Sequence, residues 1–423
     1  MKAIQFDATI PRYAIGLTLG RVYPPILWSG LSCVTYRDVP EPRLPNGEWV
    51  KIKTRYGGIC GSDAHLIHLH VSPSGSAITS FPFTIGHENY GTIAEIGAAV
   101  RDFSVGDRVV AEPTLWCRPR GFADLCRYCA RGEIQRCERV TEGVIGPGLA
   151  IGACRDTSGS WSPYFLAHES QVARIPDAVS DENALLLEPF ATSLHAVLAN
   201  MPHPGRTLSL SKRESKDDET VLVIGAGTIG LSVIAALRAV ESCARIIVLA
   251  RYAIQQELAR QFGADVVIAA SRGNDYHAEF ARAVGSKLLK PIIGKPVLVG
   301  GADVVYDCVG NSDTIDDALR FTRAGGRVVV VGLAAIPKGV DWTPIWLKEL
   351  HVQGAYCYSH DEFQGKRWRT FDLALDLLER GKVNLAPMLT HKFALRDYAR
   401  AFQTISHRGR ARAVKVAFEF SRQ

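Results

Sequence analysis

The stretch Val221–Gly230, VLVIGAGTIG, constrains the fold more than any other part of this 423-residue chain. An apolar strand runs into Gly225, Gly227 and Gly230, and a helical pattern, Ile229–Val240, follows. The first glycine permits a tight turn, the second lets a pyrophosphate approach the backbone, and the third allows helix and strand to pack closely. At Thr228 and Ile229 the helix start offers free N–H groups and the positive end of its dipole to phosphate. More apolar runs alternate with helical patterns: Arg245–Leu249 then Ile254–Phe262, Val304–Cys308 then Ser312–Arg323, and Arg327–Val331. Short strands that are apolar on both faces and separated by helices require a parallel sheet covered on both sides. This part of the chain is therefore predicted to be α/β, a doubly wound parallel sheet with a dinucleotide at its first turn.

The end of the second strand speaks to which dinucleotide. An NAD site places Asp or Glu about twenty residues past the glycines, on the ribose 2′-hydroxyl. Here Ala250 and Arg251 stand instead. No carboxylate repels a 2′-phosphate and the guanidinium can pair with it, so NADP is expected in preference to NAD.

The rest of the chain has a different texture. Up to about residue 190, short β-like runs such as Trp49–Arg55, Gly91–Ile96 and Asp107–Ala111 are broken by Gly and Pro, the pattern of a β-rich domain. A last strand is expected at Ala413–Phe418. The division reads as 1–190 completed by 356–423, with 191–355 inserted as the parallel-sheet domain. Ser209–Glu219 is polar and charged and reads as a solvated loop, part of a 204–219 insertion. A net charge of +6, with no basic run, gives no reason to expect nucleic acid. No apolar stretch reaches membrane-spanning length and the N-terminus is not a signal peptide, so the cytoplasm is the expected compartment.

Three motifs carry candidate chemistry. Gly-Ile-Cys-Gly-Ser-Asp-Ala-His supplies Cys60, Ser62, Asp63 and His65; Gly-His-Glu supplies His87 and Glu88; Leu-Leu-Glu-Pro-Phe supplies Glu188. Thiolate, imidazole and carboxylate are all zinc ligands, and a catalytic site leaves one position open. A second group, Cys117, Cys126, Cys129 and Cys137, lies within 21 residues, a clustering that reads as metal ligation and not as disulfides.

Together these motifs resemble the zinc-dependent medium-chain alcohol dehydrogenase family, in its polyol, threonine and glucose dehydrogenase branch. The likeness runs from Gly47–Val50 to the last strand and includes the turns at Gly106–Val109 and Ala324–Val328. It implies a GroES-like β domain that binds catalytic zinc beside a Rossmann domain. It implies Cys60 and His87 as zinc ligands, with Glu88 either on the metal or just behind it. Glu188 stands where the polyol branch has a Glu and alcohol dehydrogenases proper a Cys. Asp63 would hold the far nitrogen of His87, and Ser62 would take the alcohol proton and pass it, by way of the ribose hydroxyls, towards His65 at the surface. His68 and His70 match nothing and read as loop residues.

The tail of the cysteine group, C-x2-C-x7-C, matches the family's structural-zinc lobe, but the usual first Cys is replaced by Ala123. Cys117 completes a set of four if the intervening segment loops back, as Gly121 would allow; the rival reading is a three-cysteine remnant. The other five cysteines, Cys33, Cys154, Cys243, Cys308 and Cys357, read as packing residues. The resemblance implies a small alcohol or carbonyl substrate and a homodimer or homotetramer. Two other functions compete: a zinc-free enone or quinone reductase of the same superfamily, and a non-catalytic nucleotide-binding protein.

Overall fold

The computed structural model describes residues 1–200, 219–271 and 273–420; most of the 204–219 insertion lies outside them. The chain divides into two compact units, Met1–Glu188 with Phe371–Gln423, and Pro189–Thr370.

The first unit is built on one long strand, Trp49–Ile59, in which Trp49, Val50 and Ile52 are fully buried. Asn89–Ile96 and Lys415–Glu419 pair with it antiparallel, and Tyr164–His168 pairs with its N-terminal half. Arg108–Ala111 and Val172–Arg174 extend the sheet on one side and Leu389–Phe393 on the other. A second sheet joins Lys2–Phe6, Val34–Asp38 and Phe83–Thr84. Between Lys2–Phe6 and Val34–Asp38 the chain makes a helix, Ile10–Val22, which no periodicity had signalled because it is apolar on most sides. Gly16 and Gly20 let it lie close to Leu69 and Leu27.

The second unit is a six-stranded parallel sheet. Its order is Val266–Ala269, Arg245–Ala250, Thr220–Ile224, Ala302–Asp307, Thr322–Val330, His351–Gly354. The order runs outward in both directions from Thr220–Ile224 and Ala302–Asp307, the doubly wound arrangement that the alternating pattern predicts. Leu222, Val223, Ile247 and Val305 are fully buried, as expected of central strands covered on both faces.

One boundary differs from the sequence reading. Residues 356–370, placed with the first domain from sequence, belong to the second unit. The hairpin His360–Phe363 and Lys366–Arg369 is fastened there: the Asp361 carboxylate lies 2.8 Å from His195 Nδ1 and accepts from Thr370 Oγ1 at 2.5 Å. Hydrophobic periodicity cannot report such a polar tie. Cys243 also departs from expectation, being exposed in the turn before Arg245–Ala250 and not a packing residue.

Candidate metal and dinucleotide sites

Cys60 follows the long central strand and caps the helix Gly61–Ile67. Its own N–H donates to Asp63 Oδ2 at 2.8 Å. The other oxygen of Asp63 lies 3.4 Å from His87 Nδ1, so one buried carboxylate braces both residues. Ligand atoms of Cys60, His87 and Glu88 all lie within 4.8 Å of one another. Burial works against a charged His87, yet the charge and hydrogen bond of Asp63, with those of Cys60, outweigh it and hold its pKa well above the ordinary imidazole value. A pocket that favours positive charge and offers thiol, imidazole and carboxylate fits a zinc ion. Glu188 is buried in the first turn of the helix Leu187–Leu198 and is not part of that converging set.

Two features of this site escaped the sequence reading. Lys415, almost fully buried, reaches Glu88 with its ammonium 2.5 and 2.6 Å from the two carboxylate oxygens, and it also donates to the Ile59 carbonyl. Gly58 makes room: a Cβ there would collide with the Glu88 carboxylate. A lysine inside an otherwise apolar terminal strand, AVKVAF, is the signal that could have pointed to a buried acidic partner. Ser62 and His65 sit on the helix behind Cys60. His65 is half-buried, and its Nδ1 is enclosed without a hydrogen-bond partner.

The second cysteine group closes on itself. Ligand atoms of Cys117, Cys126, Cys129 and Cys137 lie within 4.8 Å of one another, and Cys117 Sγ is 3.8 Å from Cys137 Sγ. The segment between Cys117 and Cys126 does loop back, with Gly121 at φ +81° and the Cys126 N–H directed at Cys117 Sγ, 3.4 Å away. Hydrogen bonding from Cys129 pulls the Cys137 thiol down to about 6, while burial pushes Cys117 up to about 11. Arg120 holds the lobe from within. Fully buried, it donates to the carbonyls of Leu115 (3.0 Å), Glu142 (2.9 Å), Ile145 (3.4 Å), Gly146 (3.3 Å) and Gly148 (2.5 Å). Burial lowers its pKa, and the surrounding cysteines act in the opposite sense.

In the second unit Gly225 has φ +90° and a side chain there would strike Val309. A Cβ on Gly230 would collide with the Gly225 carbonyl, whereas one on Gly227 would meet nothing within 4 Å. The first two contacts are internal packing demands; the open space at Gly227 is where a phosphate can come up to the backbone. The helix Thr228–Ala239 starts here with no side chain capping it, so its first N–H groups are available. Ala250 is buried at its strand end, and Arg251 follows, exposed, its guanidinium 5.5 Å from the Tyr252 ring. Of the aromatic residues beside the motifs, Trp161 and Phe190 are fully buried, while Trp342 and Trp346 are exposed.

A β domain with converging zinc donors and a parallel sheet with a glycine turn together define a zinc-type nicotinamide dehydrogenase. Comparison with known proteins agrees. Residues 46–177 match the alcohol dehydrogenase GroES-like domain and residues 228–374 the zinc-binding dehydrogenase family. L-idonate 5-dehydrogenase of Vitis vinifera is 31% identical over 373 residues, 87% of each chain. Among solved structures, 2R,3R-butanediol dehydrogenase of Bacillus subtilis superposes with a TM-score of 0.67 at 25% identity, covering 92% of this chain and 96% of the other. A putative zinc-binding dehydrogenase of Sinorhizobium meliloti, bound to NADP, gives 0.66 at 26% identity over 92% and 95%. The chain belongs to the zinc-dependent medium-chain alcohol dehydrogenase family, in its polyol dehydrogenase-like branch. It is an oxidoreductase of alcohols.

Proposed function

We propose that this enzyme oxidises a polyol or similar secondary alcohol, and reduces the matching ketone, with zinc held by Cys60 and His87 and with NADP as hydride carrier. The observation that carries the reading is the convergence of thiol, imidazole and carboxylate on one point, braced by Asp63. That convergence speaks against a zinc-free reductase. The relatives named for idonate and butanediol suggest the substrate class. Zinc, when bound, polarises the substrate oxygen and lowers the cost of removing its proton. Asp63 keeps the proton of His87 on Nδ1 and so leaves Nε2 as the donor. Ser62 accepts the alcohol proton and His65 takes it onward. Glu88, engaged by Lys415, stands behind the thiol and imidazole, and Glu188 lies outside the converging set. The four cysteines of the lobe would hold a second, closed zinc.

Arg251 supplies the preference for NADP by pairing with the 2′-phosphate. Arg251→Ala is expected to lower kcat/KM for NADP about 10- to 100-fold and to leave that for NAD almost unchanged. Steady-state kinetics with both cofactors and a polyol panel tests cofactor and substrate class together; an enzyme that favours NAD would overturn the cofactor assignment. We propose that self-association uses the edge strand His351–Gly354, whose four residues are all exposed after a helix that exposes Trp346 and Leu347. Trp346→Glu with Val352→Lys should leave a monomer by sedimentation. No described helix is long and apolar enough to cross a membrane, and we place the enzyme in the cytoplasm.

A further inference from the structure

Three histidines gather at the end of the helix Gly61–Ile67. His65 lies inside it, His68 closes it and His70 follows just beyond. The rings of His65 and His70 meet nearly edge to face with centroids 6.0 Å apart, and those of His68 and His70 stack at 5.8 Å with 24° between their planes. Burial grades outward along the group: His65 and His68 are half-buried and His70 is exposed. Trp28 closes over His68, its ring centroid 6.2 Å away and edge-on, and Ser406 Oγ lies 3.4 Å from His68 Nε2. The charged groups facing His65 are His70 and Arg408, and those facing His68 are His65 and His70. The other two neighbours, Trp28 and Ser406, carry no charge.

We propose that His68 and His70 form the outlet of the proton path, carrying the substrate's proton from His65 to bulk water. The inference rests on the relay reading of Ser62 and His65 given above. In the oxidative direction the C–H electron pair leaves as hydride to the nicotinamide ring, and the O–H bond gives up its proton. That proton passes from Ser62 by way of the ribose hydroxyls to His65, then to His70 with His68 beside it, and one proton reaches water per turnover; reduction runs the path backwards. A half-buried His65 with an enclosed Nδ1 needs a next acceptor, and the exposed His70 is the imidazole at hand. Burial, with the cationic neighbours adding to it, holds His65 and His68 below the ordinary imidazole range, so neither retains the proton near neutral pH.

The test uses full-length, zinc-loaded enzyme oxidising whichever of sorbitol, xylitol and 2,3-butanediol turns over fastest, with kcat read in dilute and in concentrated imidazole buffer. His65→Gln should slow turnover at least about tenfold, and His70→Gln about fivefold in dilute buffer, with imidazole restoring much of the rate in both. A merely structural role for His70 would not produce the buffer rescue. If His68→Gln and His70→Gln match the unaltered enzyme in both buffers while His65→Gln is slow, the outlet is wrong and the relay reading survives. If His65→Gln is itself as fast as the unaltered enzyme, the relay reading fails and the outlet falls with it. A second measurement does not depend on turnover: in His70→Gln the His65 ring protons should titrate at higher pH by NMR, because a cationic neighbour is gone. An unchanged titration would overturn the coupling.

Discussion

The two sulfur-bearing clusters of the first unit use similar donors to opposite ends. At Cys60 a single thiol shares its place with an imidazole and a carboxylate, and each is tied to a different element: helix start, loop and terminal strand. At Cys117 four thiols come from one short segment and close upon themselves. The first cluster is mixed and braced from outside by Asp63 and Lys415; the second is uniform and braced from inside by Arg120. Closed tetrathiolate sites contribute folding energy, whereas sites with three protein donors keep a position for substrate. The two clusters thus differ in donor set, in enclosure and in support together.

Substitutions should separate the two. His87→Ala or Cys60→Ser is expected to reduce kcat by about 10³-fold or more, while NADPH binding, followed by fluorescence, stays nearly intact; near-normal turnover in Cys60→Ser would remove the metal from the chemistry. Arg120→Met leaves several lobe carbonyls without a donor and should cost about 3 kcal/mol or more of stability. It should also bring zinc content from about two per chain towards one. Thermal unfolding with metal analysis checks both, and an unaltered zinc content would show that the lobe does not need its inner brace. Cys117→Ser should lose the same zinc with a smaller change in kcat than at Cys60. Lys415→Met leaves Glu88 buried and unpaired, at a cost of about 3 kcal/mol, and adding Glu88→Gln should recover part of it. If the double variant is no more stable than Lys415→Met alone, Lys415 does not serve to neutralise Glu88.

Much of this was legible in the order of residues. The parallel sheet announced itself because strands buried on both faces must be apolar throughout, and the observed strand Thr220–Ile224 coincides with the apolar run before the glycines. The glycine turn and the motifs holding Cys60, His87 and the four cysteines were likewise readable, since each is a local pattern with a local cause. Tertiary structure alone decided which distant groups meet. Lys415 finds Glu88 across 327 positions, Arg120 gathers carbonyls from the far side of its lobe, and Asp361 fastens a hairpin to the second unit. Periodicity records which face of an element is buried, but a buried charge is settled by whichever partner the folded chain brings within reach, and that partner leaves no mark at a fixed spacing in the sequence.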